Sequence, residues 1–143
     1  MPEKNDTHKV RFVVPGNPVG YMAVTARGKW TKQYLKFAAF AKTVRLYAKM
    51  AGVKIPLKAN EKFPLVIRTV SYFKNGTHCD PGNVQKGVTD ALFYDEHGIR
   101  GKKTKKGDDK WTGGSFPPPF FDKDNPRVVV IISRYEKKKE ENK

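Results

Sequence analysis

The chain has 143 residues, enough for one domain that buries most of its unfolded surface in a single core. Its 29 lysines and arginines against 14 acids give a net charge of +15, a field that attracts polyanions, and nucleic acid is the commonest large polyanion in a cell. A single cysteine excludes an internal disulfide, and no apolar run approaches the ~18 to 20 residues of a membrane span or follows a signal-like start. A soluble, cytoplasmic protein with no membrane partner is therefore the expectation.

KVRFVVPG, residues 9 to 16, is β-branched and aromatic and stops at a Pro-Gly turn, which predicts a first strand. Residues 17 to 30 carry no helical or strand period and hold Arg27 and Lys29 beside Trp30, the composition of a basic loop. From Thr31 the apolar residues Phe37, Phe40, Ala41, Val44, Ala48 and Ala51 recur at steps of three and four. That period predicts a long amphipathic helix over residues 31 to 51, capped by Thr31 and ended by a left-handed Gly52. Lys42, Arg45 and Lys49 fall on its other side, which is a solvated face on the simpler reading and a phosphate-contacting one on the bolder reading. Phe40 and Trp30 are read as core or interface residues rather than base-stacking platforms.

FPLVIRTVSYF, residues 63 to 73, predicts a second strand with Leu65, Ile67, Thr69, Ser71 and Phe73 on one face. Asp80 suits an N-cap and Pro81 the first helical position, so a second helix is expected from Pro81 to Phe93. Residues 94 to 110 are polar, glycine-punctuated and lysine-dense, and they read as a basic loop. The prolines of SFPPPFFDKDNP exclude helix and central strand, whereas RVVVIISRY, residues 127 to 135, has the composition of a buried strand. EKKKEENK, residues 136 to 143, reads as a charged disordered tail. This order predicts an α+β domain over residues 1–135, a small mixed β-sheet with two helices packed on it.

The chemistry concentrates in HCDPGNVQKGVTDAL, residues 78 to 92. On a helix opening at Asp80, the side chains of Asp80, Asn83, Lys86 and Asp90 share one face, while Val84, Val88, Ala91 and Leu92 supply an apolar side for the sheet. Carboxylates at a helix start suit Mg²⁺, which takes oxygen ligands and keeps waters. Such an ion polarises a phosphodiester and activates a water, and a nearby lysine holds the scissile phosphate. These are the parts of a metal-dependent nuclease. The plainer reading makes Asp80 an N-cap only and Lys86 with Asp90 an i,i+4 ion pair. His78 beside Cys79 lacks the further ligands of a zinc site.

The run DPGNVQKGVTDAL resembles the signature of the RusA family of Holliday-junction resolvases, with agreement at Asp80, Asn83, Lys86, Asp90, Ala91 and Leu92 in one register. FVVPGNPVGY is similar to that family's opening strand and turn, the helix from 31 to 51 to its long first helix, and NPRVVVIISRY to its last strand. The resemblance implies a RusA-like fold and a homodimeric endodeoxyribonuclease, using Mg²⁺ or Mn²⁺, that resolves four-way DNA junctions by paired symmetric nicks. It implies Asp80, Asp90 and Asp109 as direct or water-mediated metal ligands and Lys86 as the cation that orients the phosphate. Arg27, Lys29, Lys102, Lys103, Lys105 and Lys106 would contact DNA.

Two departures stand out. Gly82 occupies the position where many members carry a second acid, and the segment between Asp90 and Asp108 is longer than usual, which makes Asp95 and Asp108 rivals of Asp109 for the last carboxylate. The alternative from another class is a basic nucleic-acid-binding protein without catalysis, a resolvase relative weakened by Gly82.

Overall fold

The computed structural model describes residues 9–22, 31–59, 62–94 and 112–135. Within them the chain runs β1 (Lys9–Pro15), α1 (Lys32–Met50), β2 (Leu65–Phe73), α2 (Pro81–Phe93), β3 (Thr112–Ser115), β4 (Phe120–Phe121) and β5 (Arg127–Arg134). The strands form one mixed sheet in the order β1-β5-β2-β3, with β4 also pairing β2. β5 is antiparallel to both β1 and β2, whereas β3 and β4 run parallel to β2 at its two ends, against Leu65–Arg68 and Tyr72–Phe73. This is an α+β fold, a five-stranded mixed sheet with two helices.

Alternation along the strands decides which face the helices cover. Phe12 and Val14 of β1, Ile67 and Phe73 of β2, and Val128, Val130 and Ile132 of β5 are buried together with Phe37, Val44, Val84, Val88 and Leu92 of the two helices in one core. Thr69 and Ser71 share that buried face of β2, as their strand positions require. Lys9, Arg11 and Arg68 occupy the alternate positions and are exposed.

Local signals set the helix ends. Thr31 caps α1, its hydroxyl accepting from Tyr34 N at 3.1 Å, and Gly52 follows the helix with φ +94°. The strand expected from Phe63 begins instead at Leu65. Pro64 has no N–H to give a ladder, and only its carbonyl pairs, accepting from Tyr135 N at 2.9 Å.

Arg45 corrects the expected solvated face of α1. It is 5% exposed, and its guanidinium donates to the carbonyl of Ala91 at 3.2 Å, so this cation ties α1 to the last turn of α2. The reason is geometric: Arg45 lies one residue from Val44 and four from Ala41, at the border of the apolar stripe. Lys42 and Lys49 remain exposed. Arg27, Lys29 and Trp30, the segment 95–111 with all its candidate acids and lysines, and the tail 136–143 lie outside the described residues. Among the described residues no helix is long and apolar enough to cross a membrane.

Candidate functional site

Asp80 begins α2 in extended conformation, with φ −70° and ψ 130°. Its Oδ1 accepts from Gly82 N at 3.0 Å, and its carbonyl accepts from Asn83 N at 2.9 Å and Val84 N at 3.2 Å. Pro81 fills the first helical position, where its missing N–H leaves nothing unpaired. The residue is exposed, and capping engages one carboxylate oxygen; no further hydrogen bond ties the other among the described residues. An N-cap and a metal-binding carboxylate are therefore compatible roles for the same side chain.

Val84, Val88, Ala91 and Leu92 are fully buried against the sheet and α1, which turns the face carrying Asn83, Lys86 and Asp90 away from the core. The helix is also fastened laterally. The Gln85 amide donates to the Ile67 carbonyl at 2.8 Å, and its oxygen accepts from the Thr69 hydroxyl at 2.6 Å. A Cβ on Gly114 of β3 would overlap the Gln85 amide, so the glycine leaves room for this contact.

Residues 17–22 form a strap across α2. Tyr21 N donates to the Asn83 carbonyl at 3.1 Å, and the Asn83 side-chain amide donates back to the Tyr21 carbonyl at 3.3 Å. Two glycines permit the approach. A Cβ on Gly20 would come 2.6 Å from Asn83 Nδ2, and one on Gly87 would come 2.9 Å from Phe37 Cε1 and 3.4 Å from the Tyr21 backbone. The Tyr21 ring meets Phe37 edge-on at 5.3 Å, and Lys86 Nζ lies 4.8 Å from its centre. Burial, and then the Asp90 carboxylate, push the Tyr21 phenol above its ordinary value, so it stays neutral at physiological pH. Asn83 and Lys86, two residues of the signature, are thus held by the strap.

Gly82 has a neighbour that accounts for its small size. A Cβ there would lie 2.9 Å from Cζ of Phe116, the residue that follows β3. The ring of Phe116 borders the helix start beside Asp80.

Asp80 and Asp90 share a helix face but not a location. Ten residues of helix rise about 15 Å, more than two aspartates span around one Mg²⁺ with bonds of about 2.1 Å, so this pair does not ligate a single ion. Among the described residues no group of three His, Cys, Asp or Glu could hold a metal. Asp109, with its rivals Asp95 and Asp108, lies outside them. What the described residues contribute toward a hard cation is one carboxylate, that of Asp80, of the right donor type for Mg²⁺. His78 and Cys79 also find structural surroundings. The His78 ring stacks on Phe73 with centroids 4.5 Å apart, its Nδ1 lies 2.7 Å from the Cys79 carbonyl, and burial raises the Cys79 thiol above its ordinary value.

Neither a protein-family model nor a curated protein matches the chain. The likeness to RusA resolvases therefore rests on the quoted residues. Tyr21, Gln85 and Phe116 were not singled out from the sequence, since none belongs to the spaced polar run. Their only signal is the glycines 82, 87 and 114, which leave room for them.

Proposed function

We propose that this chain is a Mg²⁺-dependent endodeoxyribonuclease that cuts branched DNA, with the four-way junction as its substrate and a homodimer as its working form. The observation that carries this reading is Asp80: a carboxylate that caps a helix with one oxygen and stays exposed six residues before the outward-facing Lys86, in a chain of net charge +15. Six residues of helix separate the two by about 9 Å, room for a phosphodiester between a carboxylate-held cation and an ammonium. Asp80 and Asp109 would hold Mg²⁺, with phosphate oxygens and waters completing its shell, and Mn²⁺ would substitute. The bound ion supplies polarisation of the phosphate and a nucleophilic water at neutral pH. Lys86, steadied over Tyr21, offsets charge that develops on the phosphoryl oxygens.

Asp90, about one turn beyond Lys86 and about 15 Å of helix rise from Asp80, acts beside Tyr21 rather than on the Asp80 ion. A two-fold dimer would present one site to each of two strands of a two-fold junction. Arg27, Lys29, Lys102, Lys103, Lys105 and Lys106 would neutralise backbone phosphates. The cytoplasm, where thiols stay reduced, suits this activity and the free Cys79.

A second reading, a junction binder without catalysis, is favoured by one observation: the Phe116 ring stands where the side chain of a second acid at position 82 would extend. Asp80→Asn separates the two. Asparagine caps a helix as well as aspartate does, so the melting temperature and junction affinity should hold while Mg²⁺-dependent cleavage falls by about two orders of magnitude or more. Cleavage at the parental rate would make Asp80 a cap and nothing else.

A further inference from the structure

A cleft of about 520 Å³ opens beside Asp80, between residues 17–22, the first turns of α1 and residues 77–79. Pro18, Val19 and Met22 give it an apolar side, while Gln33, Lys36 and Asn83 give it polar groups. Among the described residues that line it there is no acid, and Lys36 is an exposed cation. Cys79 also lines it, so the cleft begins one residue, about 3.8 Å of backbone, from Asp80. Its base is fixed by the Tyr21–Asn83 hydrogen bonds and by Gly20, which lies so near that a Cβ would be 3.4 Å from Cys79 Sγ.

We propose that this cleft receives one unpaired nucleotide base adjoining the scissile phosphate, an inference that rests on the nuclease reading. The volume lies in the ~300–1,000 Å³ range of small-ligand sites. An apolar side suits the face of a base, and a carboxamide such as that of Gln33 matches the donor and acceptor edge of adenine. Lys36 complements the adjoining phosphate. Nucleotides at a branch point cost least to take out of the stack, so a site that must fill this cleft before cutting selects branched over continuous duplex. The same contacts make the cut depend on the identity of one base.

Cys79, the only cysteine of the chain, reports on occupancy without reference to cleavage. In EDTA, with a saturating four-way junction, alkylation of Cys79 by neutral iodoacetamide should slow about fivefold or more, and an abasic site at one nucleotide next to the cut should restore the free-protein rate to within about twofold while the junction stays bound. Absence of protection, or protection that every abasic junction retains, overturns the proposal. In Mg²⁺, Gln33→Ala, at an exposed position, should flatten the base preference of cutting by about tenfold without abolishing it. An unchanged preference also overturns the proposal. The nuclease reading fails separately, if the parent protein binds no junction or if Asp80→Asn cuts as well as the parent.

Discussion

At the scale of single residues, the site is decided by which neighbours leave room. Phe116 is 47% exposed, so its ring can swing aside if residue 82 gains a side chain. Gly82→Asp would then place an acid in the first turn of α2, where the helix dipole and the loss of glycine together favour it by about 0.5–1 kcal/mol. The expected outcome is an equal or higher melting temperature and less Mg²⁺ needed for half-maximal cleavage; an unchanged Mg²⁺ requirement would show that Gly82 does not limit the site. Lys86 offers a second test. An exposed ammonium over an aromatic face gains about 0.5–1 kcal/mol. Tyr21→Leu should therefore release Lys86, erase the ring-current shift of its ε protons in NMR spectra, and slow single-turnover cleavage several-fold, whereas Tyr21→Phe should preserve both.

At the scale of elements, α2 is held from three sides: by the core under its valines, by Gln85 on β2, and by the strap on Asn83. At Gly87 both the strap and α1 crowd α2. In an isolated helix Gly87→Ala would gain about 1 kcal/mol of propensity. Here the added methyl meets Phe37, which is 2% exposed and cannot swing away, and the Tyr21 backbone. Overpacking of this kind costs about 1–3 kcal/mol, so the substitution should lower stability by about 1 kcal/mol net in urea denaturation. A stability gain would mean that the strap yields easily.

At the scale of the whole molecule, charge and sheet geometry act together. Among the described residues the strands contain no acid, and the sheet face turned from the helices exposes Lys9, Arg11 and Arg68, the last donating to the Ser115 hydroxyl at 3.1 Å. Phosphate neutralisation releases counterions, so junction affinity should fall with salt at a log-log slope of about several units. Replacing Lys102, Lys103, Lys105 and Lys106 together by alanine should flatten that slope with little change in melting temperature. A slope that stays the same removes this segment from the interface. Paired incision further requires sedimentation as a dimer at micromolar concentration, and a monomer that still makes paired cuts would remove the two-fold argument.

The sequence by itself determined what depends on neighbours within a turn or a strand. Thr31, Gly52, Asp80 and Pro81 mark helix ends through contacts of one to four residues, and the apolar period of α1 and α2 fixed which side is buried. It also brought Asp80, Asn83, Lys86 and Asp90 to one helix face, though it took that shared face for a shared position, because angular agreement hides an axial rise of about 15 Å. Only the tertiary structure decided the rest. Asn83 meets Tyr21 across 62 residues, Arg45 meets Ala91 across 46, and Gln85 reaches β2 across 16 and 18. β3, with Gly113 and Gly114 inside it, is a strand because the edge of β2 offers unpaired backbone groups, not because its residues favour extension. Such contacts follow from where packed elements meet, and a local pattern carries no trace of that meeting beyond a glycine left to make room.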